Sequence, residues 1–343
     1  MSELSGCTAR LLEGRIRVDL NARRLAEKYG YRPYMVSRYL EMFKGEGEVE
    51  ELLRSFDKVL NPVVRCNTLK TRDCSELQER LSRHGYILRP VEWVENAYEV
   101  VRESKTPSLG STHEHLLGMY YLYRGRASLL PPVILSPSQE DVVADVAAAP
   151  GGKTTHMAQL MRNMGAILAV EPVTRRLKVL RNNVERLGVR NAVILKLDGR
   201  RVGEVFKGYF SKALLDAPCT GEGVIMMDPS RKTRTALRDL IRHHEAQVKL
   251  LNAALNSLRK GGRLLYTTCS IAPEEDELVV SEVLGLRSDV RVIGLESPLK
   301  LSPPITDYYN LHVERQVRLC GRTYPHVHGM EGFFLCLLER VAR

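Results

Sequence analysis

No Cys-x-x-Cys pair occurs in this chain, and its seven cysteines, at positions 7, 66, 74, 219, 269, 320 and 336, are odd in number. Neither a disulfide framework nor a zinc site is suggested, so the thiols are expected to be mostly free. No apolar run approaches the roughly 20 residues needed to cross a bilayer. The opening segment MSELSGCTARLLEGRIRVDL lacks the basic-then-apolar order of a secretory leader. The expectation is a soluble cytoplasmic protein without membrane contacts. Internal repeats and low-complexity segments are also missing.

Acidic charge is the minority. Fifty-one Lys and Arg against 41 Asp and Glu leave a formal charge of +10, and the pI is near 9.3. Such a balance draws the chain toward polyanions, the footprint of a nucleic-acid binder. With 343 residues, 44% of them hydrophobic, the chain has enough apolar material for about two packed cores.

Three stretches succeed one another. Residues 1–52 are rich in helix formers, with helices expected over Arg10–Glu13, Asn21–Tyr29 and Val36–Phe43 and stops at Gly30 and Gly45. Residues 53–128 form a small α/β module, with a strand over Pro62–Lys70 and an amphipathic helix over Cys74–His84. Leu129-Leu130-Pro131-Pro132 through Ser136-Pro137 supplies turn punctuation, and the main boundary is placed there.

In residues 129–343, short apolar runs alternate with helical patterns. Val142–Val146, Ala166–Val170, Ala192–Leu197, Ala213–Leu215 and Arg263–Thr267 are expected as buried strands. The intervening helices include Thr174–Leu187, stopped by Gly188, and Ala236–Leu258, stopped by Gly261-Gly262. Alternation of this kind predicts a Rossmann-like α/β domain with a parallel sheet covered on both faces.

The first of these strands runs into Ala147-Ala148-Ala149-Pro150-Gly151-Gly152-Lys153-Thr154 and then a helix. Small residues there let a ligand approach backbone N–H groups. Glu171 ends the second strand about 20 residues on, where a carboxylate accepts ribose hydroxyls. Asp198 closes the third strand and is a candidate acceptor for an adenine amino group. A P-loop ATPase is the rival, because residues 147–154 fit G-x-x-x-x-G-K-T except at Ala147, and Ala213–Asp216 resembles a Walker B strand. Alanine tolerates the first-glycine conformation poorly, and Pro150 lacks an N–H for phosphate.

The fourth strand ends in Asp216-Ala217-Pro218-Cys219 and the fifth in Thr267-Thr268-Cys269. In open α/β sheets the carboxyl ends of neighbouring strands share one crevice, so both sulfurs are expected beside the nucleoside. A thiolate there is a strong nucleophile that also leaves readily. Lys153 and a helix end are candidates for lowering its pKa, and Asp216 for stabilising a protonated ring nitrogen. The residues themselves leave open which thiol attacks.

These motifs resemble those of the Sun-type (Nop2-like) RNA cytosine-5 methyltransferases. The resemblance rests on Asp145–Thr154, Leu215–Gly221 and Tyr266–Ser270, with Arg65-Cys66-Asn67-Thr68-Leu69-Lys70 near the start and Tyr324-Pro325-His326 to Gly332-Phe333-Phe334 near the end. It implies S-adenosylmethionine as cofactor, held by residues 147–153 (Ala147, Ala148, Ala149, Pro150, Gly151, Gly152, Lys153), Glu171, Arg176, Asp198 and Asp216. It further implies Cys269 as the attacking thiolate, Cys219 in product release, Asp216 near N3 of the base and Lys153 in support. The expected substrate is structured RNA, transfer RNA first and ribosomal RNA next, and the expected state is a monomer. An inactive RNA-binding scaffold is the other alternative.

Two departures from the family pattern bear on substrate contacts: Gly125-Arg126-Ala127-Ser128 in the entry segment, where relatives carry a glutamine and an acid, and Glu274-Glu275-Asp276 after the Cys269 motif. Arg231, Lys232 and Arg234 follow the Cys219 loop, and Arg65, Lys70, Arg124 and Arg126 offer a second basic surface. Both sets are candidates for RNA phosphates. His113/His115, His243/His244 and His326/His328 lack partners at ligand spacing, so no metal is expected. His244, Trp93 and Tyr98 are assigned to cores.

Overall fold

The computed structural model describes residue 10, residues 12–102 and residues 107–341. Cys7 and Leu11, which carry two of the expectations above, lie outside the described residues.

Helix α1 (Leu20–Tyr29) begins where the Asp19 carboxylate accepts the Ala22 N–H and ends on Gly30 in the left-handed region, as expected. Helix α2 (Pro33–Phe43) stops at left-handed Lys44, and Gly45 instead precedes a further helix, α3 (Glu46–Ser55). Their apolar sides join Ile225, Ile271, Leu278, Tyr308 and Tyr324 in one cluster. The helices therefore cover loops from the far end of the chain.

Strand β1 (Val63–Cys66) is shorter than the expected run. Asn67 ends it, its side-chain amide donating to the carbonyls of Gly118 and Leu187. Then follow α4 (Cys74–Arg83), β2 (Ile87–Pro90), β3 (Ala97–Arg102), α5 (His113–Leu116) and β4 (Tyr120–Tyr123). The strands form an antiparallel sheet in the order β2-β3-β1-β4. Tyr98 is buried in this sheet's core and Trp93 packs at its edge.

The Leu-Leu-Pro-Pro segment is not a turn but helix α6 (Leu130–Leu135). Both prolines sit in its first turn, where a missing N–H breaks no helical hydrogen bond. Leu130, Ile134 and Leu135 then bury against the large sheet.

That sheet is built from β5 (Val142–Asp145), α7 (Gly152–Leu160), β6 (Ala166–Val170), α8 (Thr174–Arg186), β7 (Ala192–Leu195), α9 (Val202–Val205) and β8 (Phe210–Asp216), followed by α10 (Arg231–Arg234), α11 (Leu237–Ser257), β9 (Leu258–Thr268) and α12 (Glu277–Leu286). Strands β10 (Val290–Ile293) and β11 (Gly321–Thr323), helix α13 (Pro325–His328) and strand β12 (Phe333–Arg340) complete it. Its order is β10-β12-β9-β8-β5-β6-β7, with β11 on β12. The five strands from β5 to β9 are parallel as expected, but β10, β11 and β12 run antiparallel, so the sheet is mixed. Strand β12 lies between β9 and β10, which explains its unbroken apolar run Phe333–Leu338.

Gly261-Gly262 do not stop α11. The helix ends at Ser257 and the chain enters β9 at once, with the glycines inside that strand near a register shift against β8.

The expectation of mostly free thiols is corrected. Cys66 pairs with Cys74 and Cys320 with Cys336. Folding brings the end of β1 to the start of α4, with Cα atoms 6.0 Å apart, and β12 to the residue before β11, at 4.4 Å. Sequence spacing carried no sign of either approach. Cys219 and Cys269 remain free. Among the described residues, no helix is long and apolar enough to cross a membrane.

Candidate active site

The carboxyl ends of β5, β6, β8 and β9 open on one side of the sheet. The loop after β5 is held in place mainly by its own carbonyls. Arg176 donates to the Ala149 carbonyl at 2.8 Å, Asn183 to that of Pro150 at 2.9 Å and Tyr123 Oη to that of Gly152 at 2.8 Å. Gly151 has φ +104° directly before α7, a conformation a side chain would strain. A cavity bounded by Ala147, Ala148, Ala149, Pro150, Gly152 and Lys153, together with Asp145 and Asp216, lies above it.

Two buried acids keep unused acceptors: Asp145, which lines this cavity, and Glu171, which follows β6. Glu171 is fully buried. Its Oε1 accepts the Val173 N–H at 2.9 Å, while Oε2 has no hydrogen bond and stands 3.4 Å from Arg176 Nη1. Asp145 takes the Thr154 hydroxyl at 2.6 Å on Oδ2 and nothing on Oδ1. Burial, with the charge of Asp216 nearby, pushes its carboxyl up to about 7. A buried acceptor without a donor is unfavourable, so a nucleoside bringing hydroxyls fits the strand ends that carry these two acids. At the end of the third strand, Arg200 spans both oxygens of Asp198 and holds its carboxyl below the ordinary range.

The phosphate-loop reading fails on the same geometry. Ala148 N–H is spent on the Val170 carbonyl, Thr154 is buried on Asp145, and Lys153 Nζ lies 2.6 Å from Asp216 Oδ2. The lysine and the threonine that a phosphate loop would turn toward phosphate are thus already engaged with Asp216 and Asp145.

The two free thiols meet. Cys219 Sγ and Cys269 Sγ are 3.2 Å apart, one beyond β8 and the other beyond β9. Ala217 N–H donates to the Thr267 carbonyl and Gly223 N–H to that of Cys269, at 2.9 and 3.0 Å, which ties the two loops together. A Cβ on Gly223 would lie 2.0 Å from the Gly332 carbonyl oxygen, so only glycine permits this approach. Glu275 accepts both the N–H and the hydroxyl of Thr220, at 2.7 and 2.6 Å, beside Cys219.

The thiols differ in environment. Cys269 lines a cleft with Lys153, Asp216, Tyr123, Arg124 and Phe333. The Cys219 thiol is pushed well above the usual range by its hydrogen bond to Cys269, by burial and by the charges of Glu275 and Asp216. Burial opposes the charge on Lys153, yet Asp216 and then Cys269 raise its pKa overall. Lys153 is a cation beside the Cys269 sulfur with Asp216 as its direct partner.

The acidic run after Cys269 does not face substrate, which corrects the expectation for Glu274-Glu275-Asp276. Each is fully buried. Arg38, also fully buried, joins Glu222 at 2.8 Å to Glu274 at 2.5 Å, and Arg322 pairs with Glu277 and Asp276. Arg38, Glu222, Arg322 and Glu331 were not picked out in the sequence. Glu222 had a signal, its place in the Cys219 loop, whereas a buried arginine on an amphipathic helix has none.

The basic candidates separate as well. Arg65 is buried, its guanidinium on the Thr155 hydroxyl and the Gln159 amide oxygen, so the RNA contact expected of it is withdrawn. Lys232 is occupied by Asp57 and the Tyr29 carbonyl, and its side chain lies over the Tyr31 ring. Arg126 and Arg231 are half-buried, holding the carbonyls of His328 and Thr220 respectively. Arg234, with a weak pair to Asp228, and Lys70 remain exposed, as does Arg124 at the cleft. His244 is fully buried between the Glu274 carbonyl and Glu282, a satisfied core residue. Among the described residues, no group of three or more His, Cys, Asp or Glu is placed to hold a metal ion.

The mixed α/β sheet, with its ligand cavity at the strand ends, defines a Rossmann-like fold of the S-adenosylmethionine-dependent methyltransferases. The chain belongs to the 16S rRNA methyltransferase RsmB/F family, whose model matches residues 132–339. It is 38% identical to a 28S rRNA (cytosine(4447)-C(5))-methyltransferase of Homo sapiens over 92% of this chain and 38% of the relative. It is 33% identical to the ribosomal RNA small subunit methyltransferase F of Vibrio atlanticus over 86% of this chain and 61% of the relative. The chain thus spans roughly half the length of the curated relatives it matches. A solved methyltransferase homolog protein from Pyrococcus horikoshii superposes with a TM-score of 0.81 at 34% identity, covering 94% of this chain and all of that one.

Proposed function

We propose that this protein methylates carbon-5 of a cytidine in structured RNA, using S-adenosylmethionine and a covalent adduct to Cys269. The observation that carries the reading is the meeting of Cys219 and Cys269 at 3.2 Å, with Cys269 opening onto the Lys153–Asp216 cleft. Bound cofactor supplies an electrophilic methyl group on a sulfonium. The Cys269 thiolate adds to carbon-6 of the base, making carbon-5 nucleophilic. Asp216 favours a proton at N3 while this charge develops, with Lys153 in support of the site. After methyl transfer, loss of the carbon-5 proton lets the Cys269–carbon-6 bond break, and Cys219 assists release of the product.

Ribosomal RNA is the first substrate to test, because the relatives' names specify it, and transfer RNA is the second. Arg234, Arg124 and Lys70 are the basic side chains best placed to meet phosphates, with residues 53–128 as the supporting RNA-binding module.

Radiolabelled S-adenosylmethionine is incubated with unmodified ribosomal or transfer RNA and the wild type, Cys269→Ala or Cys219→Ala protein, followed by a denaturing gel. Methylation by the wild type, none by Cys269→Ala and a retained protein–RNA band with Cys219→Ala are expected. Full activity in Cys269→Ala sinks the assignment.

A further inference from the structure

Glu331, an acid not assigned any role above, is 1% exposed and lines the cleft that holds Cys269. Backbone hydrogen bonds fix its place. Gly332 N–H donates to the Gly223 carbonyl at 2.8 Å, and Gly223 N–H donates to the Cys269 carbonyl at 3.0 Å. Glu331 thus adjoins a backbone segment two hydrogen bonds from the nucleophile.

From the other side, Ala127 N–H donates to Glu331 Oε2 at 2.9 Å. A Cβ on Gly125 would stand 2.3 to 2.5 Å from the Glu331 carboxyl atoms, so the absence of a side chain there makes the room this carboxyl occupies. A carboxylate offers about four acceptor positions, and only the Ala127 and Glu331 amides act on this one as backbone donors. Burial raises its pKa, opposed by those amides and by Lys153 and Arg126. An acceptor of this kind, facing a cleft, is best satisfied by a ligand that donates.

Pyrimidine bases differ at one exocyclic position in this respect. Cytosine carries an amino group at carbon-4, a donor, and uracil carries a carbonyl, an acceptor only. We propose that Glu331 is a specificity residue that accepts a hydrogen bond from the 4-amino group of the target cytosine and excludes uracil from the cleft. The inference rests on the reading that Cys269 attacks a cytidine.

The test uses a short synthetic RNA bearing the cytidine that the wild type methylates, made with cytidine, uridine or 4-deaminocytidine at that position. Single-turnover formation of the covalent adduct is measured for wild type, Glu331→Ala and Glu331→Gln, with thermal melting to check folding. Loss of a charge-assisted hydrogen bond predicts a roughly ten- to hundredfold slower reaction of Glu331→Ala with cytidine RNA. With 4-deaminocytidine RNA, where no amino group remains to be bound, the two proteins should agree within about twofold. Glu331→Gln can donate to a carbonyl and should raise the uridine-to-cytidine ratio. Equal losses on cytidine and 4-deaminocytidine, or no loss on either, overturn the proposal. Absence of any adduct between wild type and cytidine RNA instead refutes the reading of Cys269 on which it depends.

Discussion

Cys219 Sγ lies 3.2 Å from Cys269 Sγ, although 49 residues separate them in the chain. The contact makes the two thiols unequal. Cys219 is held protonated, while Cys269 faces the cleft beside Lys153. Limited alkylation with iodoacetamide near pH 8 should therefore modify Cys269 first, as read by peptide mass spectrometry. Preferential modification of Cys219 would reverse the assigned roles.

Glu171 should set cofactor affinity. Its buried Oε2 lacks a hydrogen bond, and a pair of ribose hydroxyls would satisfy it. Glu171→Gln is expected to weaken S-adenosylmethionine binding by about tenfold or more in calorimetric titration. Arg200→Ala, which frees Asp198, should not weaken it and measures whether the Asp198–Arg200 pair competes with the ligand.

Asp145 predicts a pH dependence. Its folded pKa of about 7 lies above the ordinary aspartate value, so the folded state binds the proton more tightly than the unfolded one. Its contribution is fully present below about pH 4 and is lost as pH rises through 7. Asp145→Asn should flatten that part of the stability profile, by a few kcal/mol at most (~1.4 kcal/mol per pH unit). Urea unfolding of both proteins between pH 4 and 8 checks it, and identical slopes refute it.

Arg38 should be required for stability more than for RNA contact. Arg38→Met leaves Glu222 and Glu274 buried without their cation, a loss of about 3–5 kcal/mol. Arg234→Ala, at an exposed site, should change stability by less than about 0.5 kcal/mol. It should instead reduce the salt dependence of RNA binding, since a phosphate contact releases counterions. Denaturant melts and a salt titration of binding separate the two residues.

The chain's local chemistry was enough to place most of the central strands and several helices. Val142–Asp145, Ala166–Val170 and Thr174–Arg186 follow from apolar runs, a helical stripe and a glycine stop, all of them properties of neighbours in sequence. The loop at 147–154, the acid at Glu171 and the two cysteines at strand ends were legible for the same reason, since a parallel sheet directs successive strand ends to one edge.

What required the fold were relationships between distant segments. The antiparallel insertion of β12, the Cys66–Cys74 and Cys320–Cys336 pairs, the burial of Arg65 and the Arg38–Glu222–Glu274 bridge depend on which surfaces meet. A charged side chain carries the same sequence signal whether it is solvated or enclosed, and only tertiary packing decides whether it is free to bind RNA, locks two loops together or, as with Glu331, waits at the edge of a cleft.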